Sequence, residues 1–460
     1  MYAPDVNQAA VIEISSTKSA KSSIILNKSF IKATFNQYFN MRNTSIFIFS
    51  FWIFLPLVLC CNLAVRAQNS TVKQTDIIDS SASKDVVTYK KQTDIIDIAL
   101  LILHKDPNKR LDTTEGKSMR VRLSLSPIIE YTISTGFTAG LAAGGAFVTS
   151  LKKNTNISSF LGAIKYTEKK QFLLPIQSIL WTPGNKYNLV GDLRYLNYPQ
   201  DTYGLGGFKT LADRNTITYN YFRFYEFALK KVWKDFYIGL GYQLDYHWAI
   251  SESDVLPGRI TDFKLYGFRP ASFSSGIVLN VRFDSRVNSI NPEGGGFFAN
   301  LQFLQNSRRL GSSSKWNSVL IDIRKYLALP HNNVLAFWLY SVLTLNGNPP
   351  YLDLPGTGND SYNNAGRGYM QGRFIGKKYI DLETEFRFGI TKNGLLGGVV
   401  FCSAGSVSEL NTNKFETIFP SVGTGLRIKF NKFSKTNVCL DYGIGTKGSR
   451  GFTGNLGEVF

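Results

Sequence analysis

The chain holds little of what most enzymes work with. Its 460 residues include only three histidines, His104, His247 and His331, and four cysteines, Cys60, Cys61, Cys402 and Cys439. None of them cluster with metal-ligand spacing, so neither a metal nor another cofactor is expected. The hydrolytic patterns G-x-S-x-G and H-E-x-x-H are both missing, and no enzyme activity is expected. Beyond the N-terminal region there is also no apolar run of the roughly 18 residues that a transmembrane helix needs. A helical membrane protein is therefore not expected.

What the chain has is aromatics, glycine and positive charge: 34 Phe, 23 Tyr, 40 Gly and a formal net charge of +19. Aromatics with many glycines suit strands and turns better than helices. The lysines and arginines are scattered through strands and turns, with no basic helix or zinc-finger spacing, so a nucleic-acid partner is not expected. A basic lumen or rim is the simpler reading.

Residues 46–59 form an apolar core preceded by Arg42 and followed by Val65-Arg66-Ala67, the pattern of a secretory signal peptide cleaved near Ala67–Gln68. Met41 stands where such a peptide begins, so residues 1–40 are read as a mis-assigned or disordered extension and 41–67 as the signal peptide. A lipoprotein reading through Cys60 or Cys61 is weaker, because the position before either lacks a small residue. Residues 68–120 form a polar periplasmic segment in which Lys73–Asp79 recurs as Lys91–Asp97. The second copy runs into Ile98–Leu103, which predicts a short amphipathic helix starting near Thr93 or Asp94.

From residue 121 to Phe460 the chain reads as about 16 strands, many of ten residues or more, alternating with turns. In one strand Phe236, Ile238, Leu240, Tyr242, Leu244, Tyr246 and Trp248 oppose Gly239, Gly241, Gln243, Asp245 and His247. In another, Asp381, Glu383, Glu385 and Arg387 oppose Ile380, Leu382, Phe386 and Phe388. Charges on one face call for a wet interior, since a charge facing mid-bilayer lipid costs roughly 2–4 kcal/mol. Short connections alternate with long ones, including 198–214, 251–270 and 347–377, as in outer-membrane barrels. The fold class is therefore all-β: a transmembrane antiparallel β-barrel of about 16 strands with a short N-terminal periplasmic segment. In that frame His247 is a polar residue of the lumen. Cys402 and Cys439 face opposite sides with a strand between them, so both are free thiols. Gly443-Ile-Gly-Thr-Lys-Gly448 fits G-x-G-x-x-G but lies between strands, and no nucleotide site is expected there.

Several motifs carry a family resemblance. Arg367-Gly368-Tyr369, followed by Gly372-Arg373 and Glu385-Phe-Arg387, resembles the loop-and-strand motif of the BamA/TamA-like bacterial surface antigen family. Asp284-Ser-Arg286-Val-Asn-Ser-Ile-Asn291-Pro292 resembles its turn motif. Leu440–Gly445 and Asn455–Phe460 match its last two strands. The resemblance covers about 125–460 and implies a sixteen-stranded outer-membrane barrel whose long loop folds inward. Arg367 would meet Glu385 on the inner wall. Ser403 stands where the family has a second acidic partner, so the latch is expected to consist of one carboxylate and a hydroxyl. Phe452, Leu456 and the terminal aromatic Phe460 would share one face as the signal read by the barrel-assembly machinery during biogenesis. Outer-membrane lipid, including lipopolysaccharide, is the other partner implied. Residues 68–120 are too short for the POTRA domains with which family members capture clients. The resemblance thus favours a specialised role in outer-membrane protein or lipid handling, and a passive or loop-gated pore, or a structural surface protein, is the alternative. No client or solute is named by the sequence.

Overall fold

The computed structural model describes residues 92–109, 122–132, 134–150, 155–286 and 288–460. The signal peptide, Met41, the cleavage position and the first copy of the duplication lie outside the described residues.

Sixteen antiparallel strands follow one another around a closed barrel, each paired with its neighbours in sequence, and β1 meets β16. They are β1 (Arg122–Thr132), β2 (Gly136–Phe147), β3 (Ser158–Thr167), β4 (Phe172–Trp181), β5 (Tyr187–Thr202), β6 (Asn215–Trp233), β7 (Phe236–Ser253) and β8 (Ala271–Asp284). Then come β9 (Gly296–Asn306), β10 (Trp316–Leu329), β11 (Asn333–Gly347), β12 (Lys378–Gly389), β13 (Leu396–Val407), β14 (Phe419–Asn431), β15 (Thr436–Gly445) and β16 (Arg450–Leu456). Period-two alternation sets the faces. Leu141, Ile164, Leu240, Leu279, Leu301 and Leu382 are exposed to the lipid side. Asp245, Asn280, Asn300, Asp322, Glu383 and Asp441 are buried on the inside. Apolar-out and polar-in is the pattern of a transmembrane barrel. Cys402 is exposed and Cys439 buried, both as free thiols.

Connections are short at one rim and long at the other. On the short-turn rim Gly184 (φ 68°) and Lys435 (φ 58°) take the left-handed conformations that tight turns require. The turn after β8 is the exception there, because it reaches across the mouth. Asn288 and Asn291 donate to the carbonyls of Ser434 and Lys435 at 3.1 and 3.2 Å, and Glu458 N donates to Ile290 O at 3.2 Å.

Helix α1 (Ile95–Ile102) docks at this rim. Asp94 caps it, accepting from Asp97 N at 2.8 Å, and the Asp97 carboxylate accepts from Asp94 N at 3.2 Å. Lys432 reads both acids: its N–H reaches Asp94 at 2.7 Å and its ammonium reaches Asp97 at 2.8 Å. A second short helix, α2 (Asp262–Gly267), lies in the loop after β7.

The last strand is shorter than its alternation predicts. β16 ends at Leu456, and Gly457 (φ 95°) turns the tail inward. Phe452 and Leu456 face out, but Phe460 is only 3 % exposed, packed inside against Trp338 with ring centroids 5.2 Å apart. The expectation that all three share a face is corrected by this turn, which costs a glycine little and breaks the parity of every residue after it.

Candidate functional site

The loop of residues 348–377 leaves β11 and folds back into the lumen, where it touches walls on several sides. Tyr351 Oη lies 2.7 Å from Thr202 Oγ1 on β5, and Asp353 accepts from Ser274 on β8 at 2.5 Å. Gln371 accepts from Tyr198 Oη at 2.6 Å, and its backbone N–H donates to Ser134 Oγ at 2.8 Å. Asp360 organises the crossing by accepting the amide protons of Asn364 and Ala365, each at 2.8 Å.

The sequence at the loop's centre explains its seat. Gly368 (φ 94°) lies against Gly443 on β15, where a Cβ would come within 2.7 Å of the Gly368 backbone. A Cβ on Gly445 would lie 2.4 Å from the Tyr369 ring. The glycines of the G-x-G-x-x-G string thus make a groove in the wall. Tyr369 fills it, donating to Pro420 O at 2.6 Å and accepting from Thr446 N at 2.8 Å.

That seat aims Arg367 at β12 and β15. Arg367 is only 3 % exposed, and its guanidinium carbon lies over the Phe401 ring, 3.7 Å from the centroid. It donates to Glu383, to Glu385 at 2.5 Å and to Asp441 at 2.8 Å. Two further arginines join. Arg387 reaches Glu385 at 2.5 Å and the Phe460 carbonyl oxygen at 2.9 Å. Arg427 reaches Asp441 at 2.5 Å and Glu458 at 2.8 Å. Loop, wall and C-terminal tail are therefore joined in one buried network of three guanidiniums and four carboxylates. Burial alone would raise the Glu458 carboxyl; Arg427 and Arg387 outweigh it and hold it below the usual carboxylate range.

Arg367 and Glu385 are in contact, together with Gly368 and Tyr369 of the same loop. Ser403 is not part of the latch: its hydroxyl lies 2.8 Å from Ser421 Oγ. The expectation of one carboxylate and a hydroxyl is corrected to three carboxylates on Arg367. Glu383 sits on the same face as Glu385, and Asp441 comes from β15, on the far side of β13 and β14. The alternation of β12 pointed at Glu383, and Asp441 lay inside a motif already singled out. Their meeting depends on the loop's path, which no local pattern encodes. In the turn motif, Arg286 grips Asp284 through two bonds of 2.9 Å and lies 4.3 Å over the Phe298 ring. Asn291 clasps the opposite turn as described, and Pro292 O accepts from Gly295 N at 3.3 Å. His247 is buried in the lumen, stacked on Tyr221 at 4.3 Å and 3.6 Å from Asp353.

Solved barrels of similar shape exist. BamA from Haemophilus ducreyi lacking POTRA domains 1–3 matches with a TM-score of 0.48 at 14% identity, over 83% of this chain and 81% of that one. CdiB from Escherichia coli matches at 0.48 and 10% identity, over 70% of this chain and 59% of that one. CdiB from Acinetobacter baumannii matches at 0.46 and 12% identity, over 87% and 71%. No family model matches the chain, and no curated protein matches it in sequence.

The lumen is occupied, and the barrel's least-bonded place is in its wall. Among the described residues, the β1–β16 ladder is a single partnered pair, Thr132 with Thr453. On its other edge β1 pairs with β2 along its whole length, from Arg122–Ala146 to Thr132–Gly136.

Proposed function

We propose that the chain is an outer-membrane barrel of the BamA/TamA-like surface antigen type that handles amphipathic clients, protein or lipid, at the seam between β1 and β16. It acts without catalysis. The observation that carries this reading is the contrast between a one-pair seam and a lumen crossed by a latched loop. A pore needs a free axial path. Here the loop bridges the walls, and the turn after β8 and the C-terminal tail lie across the short-turn mouth. A seam held by so few backbone bonds is the cheaper place to open, since each bond exposed to lipid without a partner costs several kcal/mol. The short-turn rim faces the periplasm and the long loops face outward, toward lipopolysaccharide. Leu161 supports the reading: it faces inward on β3, two strands from the seam, yet is exposed, so the loop leaves that part of the wall uncovered.

The test is a disulfide across the seam, Thr132→Cys with Thr453→Cys, made in the native host. Locking should lower the levels of other outer-membrane proteins or alter outer-membrane lipid, and a reductant should restore them. A locked barrel that leaves both unchanged defeats the proposal. Planar-bilayer recordings are expected to be silent for the intact protein, and steady conductance would favour the pore instead.

A further inference from the structure

The outer wall carries one carboxylate in the wrong place for a lipid-facing surface. On β6, Tyr221, Arg223 and Tyr225 point inward and converge on Asp245 of β7. Their neighbour Glu226 therefore points outward, and it is exposed. It sits opposite Gly191 of β5 and Tyr242 of β7. Gly191 makes the room: a Cβ there would lie 2.6 Å from the Glu226 carboxylate and 2.8 Å from Ser178 Oγ. Among the described residues no hydrogen bond or ion pair reaches that carboxylate; the Tyr242 hydroxyl is turned to Ser275 Oγ, 2.8 Å away. Asp192 and Asp245, acids of the neighbouring strands, point into the lumen, where Arg194 and Tyr221 hold them.

Depth decides what the carboxylate faces. Tyr246, Trp248, Tyr195 and Phe273 form an aromatic cluster toward the long-loop rim. Trp233, 76 % exposed, with Phe236, Phe283 and Phe297 marks the short-turn side. Aromatic girdles of this kind sit at the two bilayer interfaces. Tyr242, level with Glu226, is four residues along β7 from Tyr246 and six from Phe236. With a rise of ~3.3 Å and a tilt of ~40°, Glu226 lies roughly 10 Å inside one girdle and 15 Å inside the other. It opens into a groove of about 280 Å³ walled by Leu189, Ala228, Leu240 and Tyr242.

We infer that this groove is an intramembrane docking site for another membrane protein, which places a lysine or arginine side chain against Glu226. A carboxylate at that depth is costly and marks function by default. A lipid amine stays at the interface, too far away to pair with it. The outward-facing cations of a second copy, among the described residues, do not match that depth either: Lys230 lies four residues nearer the short-turn rim, Lys325 is level with Phe297 of the short-turn girdle, and Lys378 and Arg450 stand at the long-loop ends of β12 and β16. The inference rests on the barrel standing in a membrane and not on the seam.

A photoreactive residue at Ala228, introduced in the native host, tests it, with Leu279 as a control position on the same wall. The expected adduct is an outer-membrane protein whose cross-linked peptide carries a membrane-embedded Lys or Arg. Glu226→Lys should cut its yield about tenfold, in keeping with close charge pairs at interfaces. Replacing the partner's cation by Glu should restore the yield. Glu226→Gln keeps the side chain's volume and should also lower the yield, which keeps the test open where the lysine variant fails to assemble. Lipid adducts alone, an adduct with a second copy, or a yield unchanged by both substitutions would overturn the inference.

Discussion

The two sides of the barrel wall are built on opposite plans. From β11 to β15 the inner surface is packed and charged: Trp338, Tyr340, Tyr379, Glu383, Glu385 and Asp441 are all buried beneath the loop and the tail. From β1 to β3 it is nearly bare. The inward residues of β2 are Thr138, Gly140, Ala142, Gly144 and Ala146, and the ion pair on that side, Lys165 with Glu130 at 2.8 Å, is partly exposed. One side is held by desolvated charges whose partners come from distant segments. The other is held chiefly by its backbone ladders, with that ion pair and the Thr138–Thr135 hydrogen bond among its described side-chain links, and it ends at the one-pair seam.

Breaking the packed side should have the largest effect. Arg367→Ala leaves Glu383 buried without a cation and takes one partner each from Glu385 and Asp441, which Arg387 and Arg427 still hold, and is expected to cost about 3–5 kcal/mol. Denaturant unfolding in detergent would show it, together with new protease cleavage within 348–377. Glu385→Ala should be milder for the loop, because Glu383 and Asp441 still hold Arg367. Equal loss in the two variants would mean that Glu385 alone carries the latch. Next comes Phe460→Ala. Deleting a ring packed on Trp338 should lower stability by roughly 3 kcal/mol. If the tail faced lipid instead, the stability of the folded barrel would barely change. At the small end, Glu130→Gln on the bare side removes a half-exposed pair and should cost less than about 1 kcal/mol. A loss as large as that of Arg367→Ala would erase the contrast between the two sides.

Strands were the most legible part of the chain, because a wall with lipid outside and water inside writes its period into every second residue. Short and long connections then gave the two rims. Helix α1 was readable from Asp94 and Asp97, whose spacing is a capping box. The latch was legible in part: Arg367 and Glu385 came from the resemblance to a family motif. Glu383 shares its parity with Glu385, but parity cannot rank two carboxylates on one face. Asp441 is 74 residues from Arg367, and only the path of the loop brings them together. Phe460 was misplaced because alternation is blind to a glycine that leaves the strand.

The clasp at the short-turn mouth also sets an order in time. The turn after β8 closes against Lys429, residues 434–435 and the backbone of Glu458, and Arg367 is fully bound only once β15 brings Asp441. Contacts separated this widely in sequence form late, after the loop between them has been closed. The growing barrel therefore stays unsealed until its final hairpin arrives, and a chain truncated before β15 would be left an open sheet with no lock to throw.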